Sequence, residues 1–172
     1  MSKQTFVVGM IVDDKPGVLH RISNMFRRRN FNIESISAGA TEQEDLVRIT
    51  ITVAGDETIV RQLLRQSEKL LDVVHVNVLD QEKAVLREMA LVKIATADTK
   101  ARSDVMSWAS IFRGQIVDVS PESVIVEVTG TPEKIEAFVE MAKTVGVREL
   151  ARTGTAALQR GPKTLDSEKE AG

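Results

Sequence analysis

Cysteine is absent from this chain of 172 residues, which excludes disulfide frameworks, thiolate zinc sites and cysteine nucleophiles. Tyrosine is absent too. One Trp and five Phe bring aromatics to only 3%, so any core must be built from aliphatic side chains. An excess of charge of one sign is also missing: 23 Lys and Arg against 25 Asp and Glu leave −2, too little to draw the chain to nucleic acid or an anionic membrane. No apolar run approaches the ~18 residues of a membrane span. Met1-Ser2-Lys3-Gln4 leads straight into a strand with no signal-peptide pattern, so a cytoplasmic protein is expected. What the chain does contain is 42% hydrophobic residues in short periodic segments, enough for one large domain or two small ones.

The stretch Asp13-Asp14-Lys15-Pro16-Gly17-Val18-Leu19 organises the first half. Before it, Thr5-Phe6-Val7-Val8-Gly9-Met10-Ile11-Val12 reads as a buried strand, and after it Val18, Leu19, Ile22, Met25 and Phe26 recur at helical spacing. A helix that begins at such a turn aims unpaired N–H groups and partial positive charge outward, ready for a small carboxylate. Asp13 and Asp14 beside it could meet an ammonium, and the pair of features suits a free amino acid. Plain capping of the helix by Asp is the competing explanation.

The segments that follow are a strand over 32–38, with a bulge or bend expected where Ile33 and Ile36 fall out of phase, and a strand with Val47, Ile49, Ile51 and Val53 inward. A helix presents Ile59, Val60, Leu63, Leu64, Leu70 and Leu71, and a fourth strand alternates Val74, Val76 and Val78 with His75 and Asn77. The second half repeats the order: a strand over 89–95, a helix over 104–112 with Val105, Trp108, Ile111 and Phe112 inward, and a hairpin from 115 to 128. A helix capped by Thr131-Pro132 follows, then a strand over 147–152 that 156–158 could continue. The fold class is therefore α+β, with two ferredoxin-like βαββαβ domains over 4–80 and 88–160, a connector at 81–87, and a disordered tail over 161–172. Each unit leaves one sheet face and its edge strands open, which predicts a dimer.

Rival functions find little support. The same plan serves RNA-binding sheets, but Phe6 is the only aromatic on the two strands that would stack bases. His20 reads as a helix surface residue, and His75 has no second ligand placed to make a metal site, so no metal is expected. Arg27-Arg28-Arg29 at a helix C-terminus is explained by the helix dipole. No nucleophile–base pair and no phosphate-cradling Gly loop is present, so no catalytic residue is assigned. A transcriptional sensor would need a DNA-binding helix pair or a basic surface, and neither is evident.

Asp14-Lys15-Pro16-Gly17-Val18-Leu19, followed by Phe31-Asn32-Ile33-Glu34-Ser35-Ile36, resembles the amino-terminal ACT domain of acetolactate (acetohydroxyacid) synthase regulatory subunits. Ala90-Leu91-Val92-Lys93-Ile94, Ile111-Phe112-Arg113-Gly114-Gln115-Ile116-Val117-Asp118-Val119, Arg152-Thr153-Gly154 and Leu158-Gln159-Arg160-Gly161 extend the likeness collinearly over about residues 4–161. The resemblance implies a non-catalytic homodimer that binds a catalytic large subunit, activates it, and mediates feedback inhibition by valine in branched-chain amino acid biosynthesis. It implies no cofactor of this chain's own; thiamine diphosphate, Mg and FAD are expected on the catalytic subunit. It places valine where two ACT domains pair, between Asp14, Gly17 and Val18 of one chain and Asn32 and Ile33 of the other. The sequence departs from valine-sensitive bacterial members at Asp14, where they carry Asn.

Overall fold

A computed structural model of the chain describes residues 4–166. They form two compact units: residues up to Val85 together with those from Thr155 onward, and Leu86–Gly154. In each, two helices pack the inner face of an antiparallel sheet whose main path has four strands, and the second sheet gains a fifth strand off that path.

The first unit contains β1 (Gln4–Asp13), α1 (Val18–Arg28), β2 (Asn32–Ala40), β3 (Leu46–Gly55), α2 (Glu57–Ser67) and β4 (Val73–Leu79), with strand order β2-β3-β1-β4. Period-2 alternation sends Val8, Met10 and Val12 of β1 and Ile49, Ile51 and Val53 of β3 into one core, where they meet Val18, Ile22 and Phe26 of α1 and Leu63 of α2. The bulge expected in β2 is present, as a register shift between Ile33 and Ser35. Two helical assignments are corrected. Leu71 is fully exposed, because α2 ends at Ser67 and the chain then turns, Leu70 N–H donating to Ser67 O at 3.0 Å. Leu19 is 50% exposed because it falls beside the stripe that Val18, Ile22 and Phe26 complete.

The second unit contains most of β5 (Ala84–Ala95), then α3 (Thr99–Ile111), β6 (Gln115–Val119), β7 (Ser123–Gly130), α4 (Pro132–Lys143) and β8 (Val147–Arg152), ordered β6-β7-β5-β8. The expected connector is shorter than 81–87, since a single 3-10 turn at Gln81–Lys83 passes directly into β5. The core joins Ala90, Val92, Ile94, Val124, Val126 and Val128 to Val105 and Ala109 of α3 and Ile135, Phe138, Val139 and Ala142 of α4. Phe112 and Phe138 meet edge to face at 5.4 Å, and Trp108 packs against the same core. Ile111, expected inward, is 72% exposed, because Val105, Trp108, Ala109 and Phe112 already define the buried stripe.

Beyond Gly154, at φ +77°, β9 (Ala156–Gln159) pairs with β5, and by compactness it groups with the first unit. Of the tail expected to be disordered, residues 161–166 return to the first unit, with Leu165 against Gly9; 167–172 lie outside the described residues. The outer face of the first sheet is thus partly covered by the chain's own C-terminal segment. Among the described residues no helix is long and apolar enough to cross a membrane, and no cluster of His, Asp or Glu is arranged to hold a metal ion.

Candidate functional site

The turn from β1 into α1 is pinned from two sides. Asp13 N–H donates to Asp72 O at 2.9 Å, and Asp14 N–H donates to Asp45 O at 2.7 Å. Lys15 folds back on Asp13, Nζ to Oδ2 at 2.6 Å, a bond that raises the ammonium above its ordinary value. Asp13 is therefore engaged locally, and Asp14 stands exposed next to it.

Gly17 occupies the N-cap of α1 at φ +87°, ψ −6°, the left-handed region that favours glycine. It has no side chain to cap with, and no other side chain takes its place. The remaining helices differ: Asp56 accepts from Ile59 N–H at 2.9 Å, Asp98 from Ala101 N–H at 2.7 Å, and Thr131 from Lys134 N–H at 3.3 Å. Capping by Asp, the competing explanation of the Asp13-Asp14 pair, is thus not what these residues do at α1. Val18 N–H turns back to Lys15 O at 3.3 Å, which leaves the amides of Leu19 and His20 and the positive end of the helix dipole at this terminus.

A cation reinforces that end. Arg21 Nε donates to Asp72 Oδ2 at 2.7 Å, and its Nη1 lies 3.2 Å from where a Cβ on Gly17 would stand. The hydrogen bond from Arg21, aided by its charge, holds the Asp72 carboxyl below the usual carboxylate range. The turn can therefore receive a carboxylate from amides and a guanidinium edge, while exposed Asp14 can receive an ammonium.

Of the residues singled out in the sequence, Asp14, Gly17 and Val18 come together here. Val18 is buried in the core, so its backbone faces the turn while its methyl groups pack inward; the half-exposed neighbour is Leu19. Asn32 and Ile33 begin β2, Asn32 exposed and Ile33 packed against the core. Asn32 pairs with Ala54, which pairs with Thr5, whereas Asp13 pairs with Leu46 at the other end of the sheet. At ~3.4 Å per residue the two groups stand about 27 Å apart in one chain. They cannot line one small-molecule site without a second chain. Asp45 and Asp72 escaped the sequence reading because only the fold brings them to the turn, and Arg21, one helical turn from Gly17, because its role rests on Asp72.

Two family models match: an ACT domain of the acetohydroxyacid synthase small-subunit type over residues 8–75, and the small subunit of acetolactate synthase over residues 87–161. The acetolactate synthase small subunit of Mycobacterium bovis is 43% identical over 169 residues, covering 98% of this chain and 100% of the relative. That of Mycolicibacterium smegmatis is 41% identical over 165 residues, 96% of each chain. Among solved structures, the small subunit from Thermotoga maritima superposes with a TM-score of 0.85 at 40% identity, over 93% of this chain and 99% of that one. The chain belongs to the acetolactate synthase small-subunit family, with an amino-terminal ACT domain and the family's own carboxy-terminal domain.

Proposed function

We propose that this chain is the non-catalytic regulatory subunit of an acetolactate synthase, and that it binds valine where two ACT domains pair side by side. It raises the activity of a thiamine-diphosphate-dependent large subunit and transmits feedback inhibition in branched-chain amino acid biosynthesis. Cofactors belong to that partner. The observation that carries the reading is the uncapped, glycine-opened N-terminus of α1 with Arg21 beside it.

The edge strand β2 supports the dimer. It runs nine residues without Pro or Lys, and the carboxylate of its single charged residue, Glu34, accepts a hydrogen bond from Thr5 Oγ1 at 3.1 Å. Edges left so open invite pairing with another chain. A twofold antiparallel pairing of two β2 edges carries the partner's Asn32 toward the Ala40 end, where Val47 and Leu46 lead back to Asp13. Two sites per dimer result, one per chain. In each, helix amides and Arg21 hold the carboxylate, Asp14 and the partner's Asn32 hold the ammonium, and the partner's Ile33 with Leu19 flanks the aliphatic side chain. Burying such a side chain is worth ~1.5–3 kcal/mol, so charge recognition supplies much of the affinity. Inhibition follows if valine prefers one arrangement of the dimer on the large subunit.

Calorimetric titration with valine, leucine and isoleucine tests the reading. Saturable heat near one site per chain is expected with valine, lost in Gly17→Asp, which puts a carboxylate where the ligand's should sit. Gly17→Asp that binds valine as the parent does would remove the turn from the site.

A further inference from the structure

The first unit carries a concave site on the outer face of its sheet, lined by residues other than those of the α1 turn. A cavity of about 520 Å³ lies between that face and residues 158–166. Its floor is one row across three strands: Arg48 of β3 pairs with Ile11 of β1, which pairs with His75 of β4. Side chains at these positions share the outer face, so the guanidinium and the imidazole flank Ile11. Leu79 and Leu158 add apolar wall, and Leu165 closes over Gly9, where a Cβ would stand 2.9 Å from its Cδ1.

Two polar atoms there are buried without a protein partner: Arg48 Nε and His75 Nδ1. Arg48 Nη2 donates to Ala157 O at 2.8 Å, a neutral acceptor, and the guanidinium forms no ion pair among the described residues. Burial lowers its pKa, with Glu42 opposing. Glu42, Lys163 and Asp166 line the mouth but are exposed, so their charges are screened by solvent. The interior is left with one cation, one imidazole and aliphatic walls. A buried charge without a counter-ion is costly, and it persists most readily where a ligand neutralises it.

We infer that this cavity binds a small aliphatic monocarboxylate, its carboxylate held between Arg48 Nε–H and His75 Nδ1–H and its carbon chain against Ile11 and Leu158. One guanidinium matches one negative charge; a dianion would leave excess charge in a half-enclosed site. A free amino acid is disfavoured, because no buried acid faces the spot to receive its ammonium. The inference does not depend on the valine site.

The test is NMR titration of the full-length chain with isovalerate, with isovaleramide as its neutral counterpart and valine as its zwitterionic one, following the Arg48 Nε–H and His75 ring signals. Isovalerate should shift both saturably, and isovaleramide and valine should not. Arg48→Gln should weaken isovalerate at least about tenfold, the loss of one charge-assisted contact. His75→Gln serves as the second variant if Arg48→Gln does not fold, and should weaken it several-fold. Gly17→Asp, which should abolish the valine heat in calorimetry, should leave the isovalerate isotherm unchanged, which separates this site from the α1 turn. The inference fails if isovalerate leaves both signals in place, if the amide binds equally well, or if the folded variants bind as the parent does.

Discussion

The two units share topology and differ at the same joint, the turn from first strand to first helix. In the first unit Gly17 leaves the amides of α1 open; in the second Asp98 closes those of α3 with its own carboxylate. Four residues on, each helix carries an arginine. Arg21 leans on the turn and pairs with Asp72, whereas Arg102 points its Nη2 at Ser120 O and Pro121 O, 2.7 and 2.8 Å away, and staples the β6–β7 hairpin. One scaffold thus spends its helix terminus on internal satisfaction and the other keeps it available. Where the second unit invests charge is elsewhere: Glu88, only 5% exposed, takes Arg152 Nε and Nη2 at 2.6 and 3.1 Å while Arg152 Nη1 reaches Glu136 at 2.9 Å. The contrast is between charge used to hold a domain together and charge left where a ligand can meet it.

Arg152→Ala breaks the structural side of this contrast with the largest effect. It strands the Glu88 carboxylate in the second unit and should cost on the order of 3 kcal/mol, the low end for buried pairs because the guanidinium edge still touches solvent. Trp108, the single tryptophan, packs on that unit's core, so urea unfolding followed by its fluorescence reads the loss there specifically. A midpoint that does not move would mean water replaces Arg152 at no cost. On the ligand side, Asn32→Ala should weaken valine by ~1–3 kcal/mol through loss of one buried polar contact, read as a shift in calorimetric Kd with Trp108 unfolding unchanged. Equal affinity would take the β2 edge out of the site.

Much of the fold was legible because period-2 runs and cap residues agree with each other: Thr131-Pro132 starts a helix where the apolar spacing changes. The misassigned residues share a cause. Leu71 and Ile111 have the right character but lie past the last turn or off the buried stripe, which only the helix end and its phase decide. The turn at Gly17 was readable as local chemistry. Arg21 was not, since its role depends on Asp72, 51 positions away. The return of 161–166 onto the first sheet was equally hidden: Leu165 is isolated among polar residues, and what receives it is the missing side chain of Gly9.

Asp98→Ala opens α3 as α1 is open and asks whether an open terminus is sufficient for binding. The lost cap should cost ~1 kcal/mol of second-unit stability by Trp108 fluorescence. No new valine site should appear in calorimetry, because the proposed site also needs an acid placed as Asp14 is and a partner's Asn32. Extra binding stoichiometry in Asp98→Ala would show that helix amides alone suffice, and would weaken the case for Asp14 and Asn32.

The smallest effect separates the two arginines by pH. Asp72 has a depressed folded-state pKa, so its stabilising contribution is present above the ordinary carboxylate pKa of ~3.9 and is lost as pH falls through the folded value. Arg21→Gln should raise the Asp72 pKa toward ordinary, seen directly by NMR titration of its side-chain carboxyl, and the variant's small stability deficit should vanish in acid. Arg102 donates to two backbone carbonyls, which do not titrate, so the deficit of Arg102→Gln should persist at every pH where the unit is folded. An Asp72 that titrates identically with and without Arg21 would mean that the pair is not held in solution, and that Arg21 is free to turn fully toward a bound carboxylate.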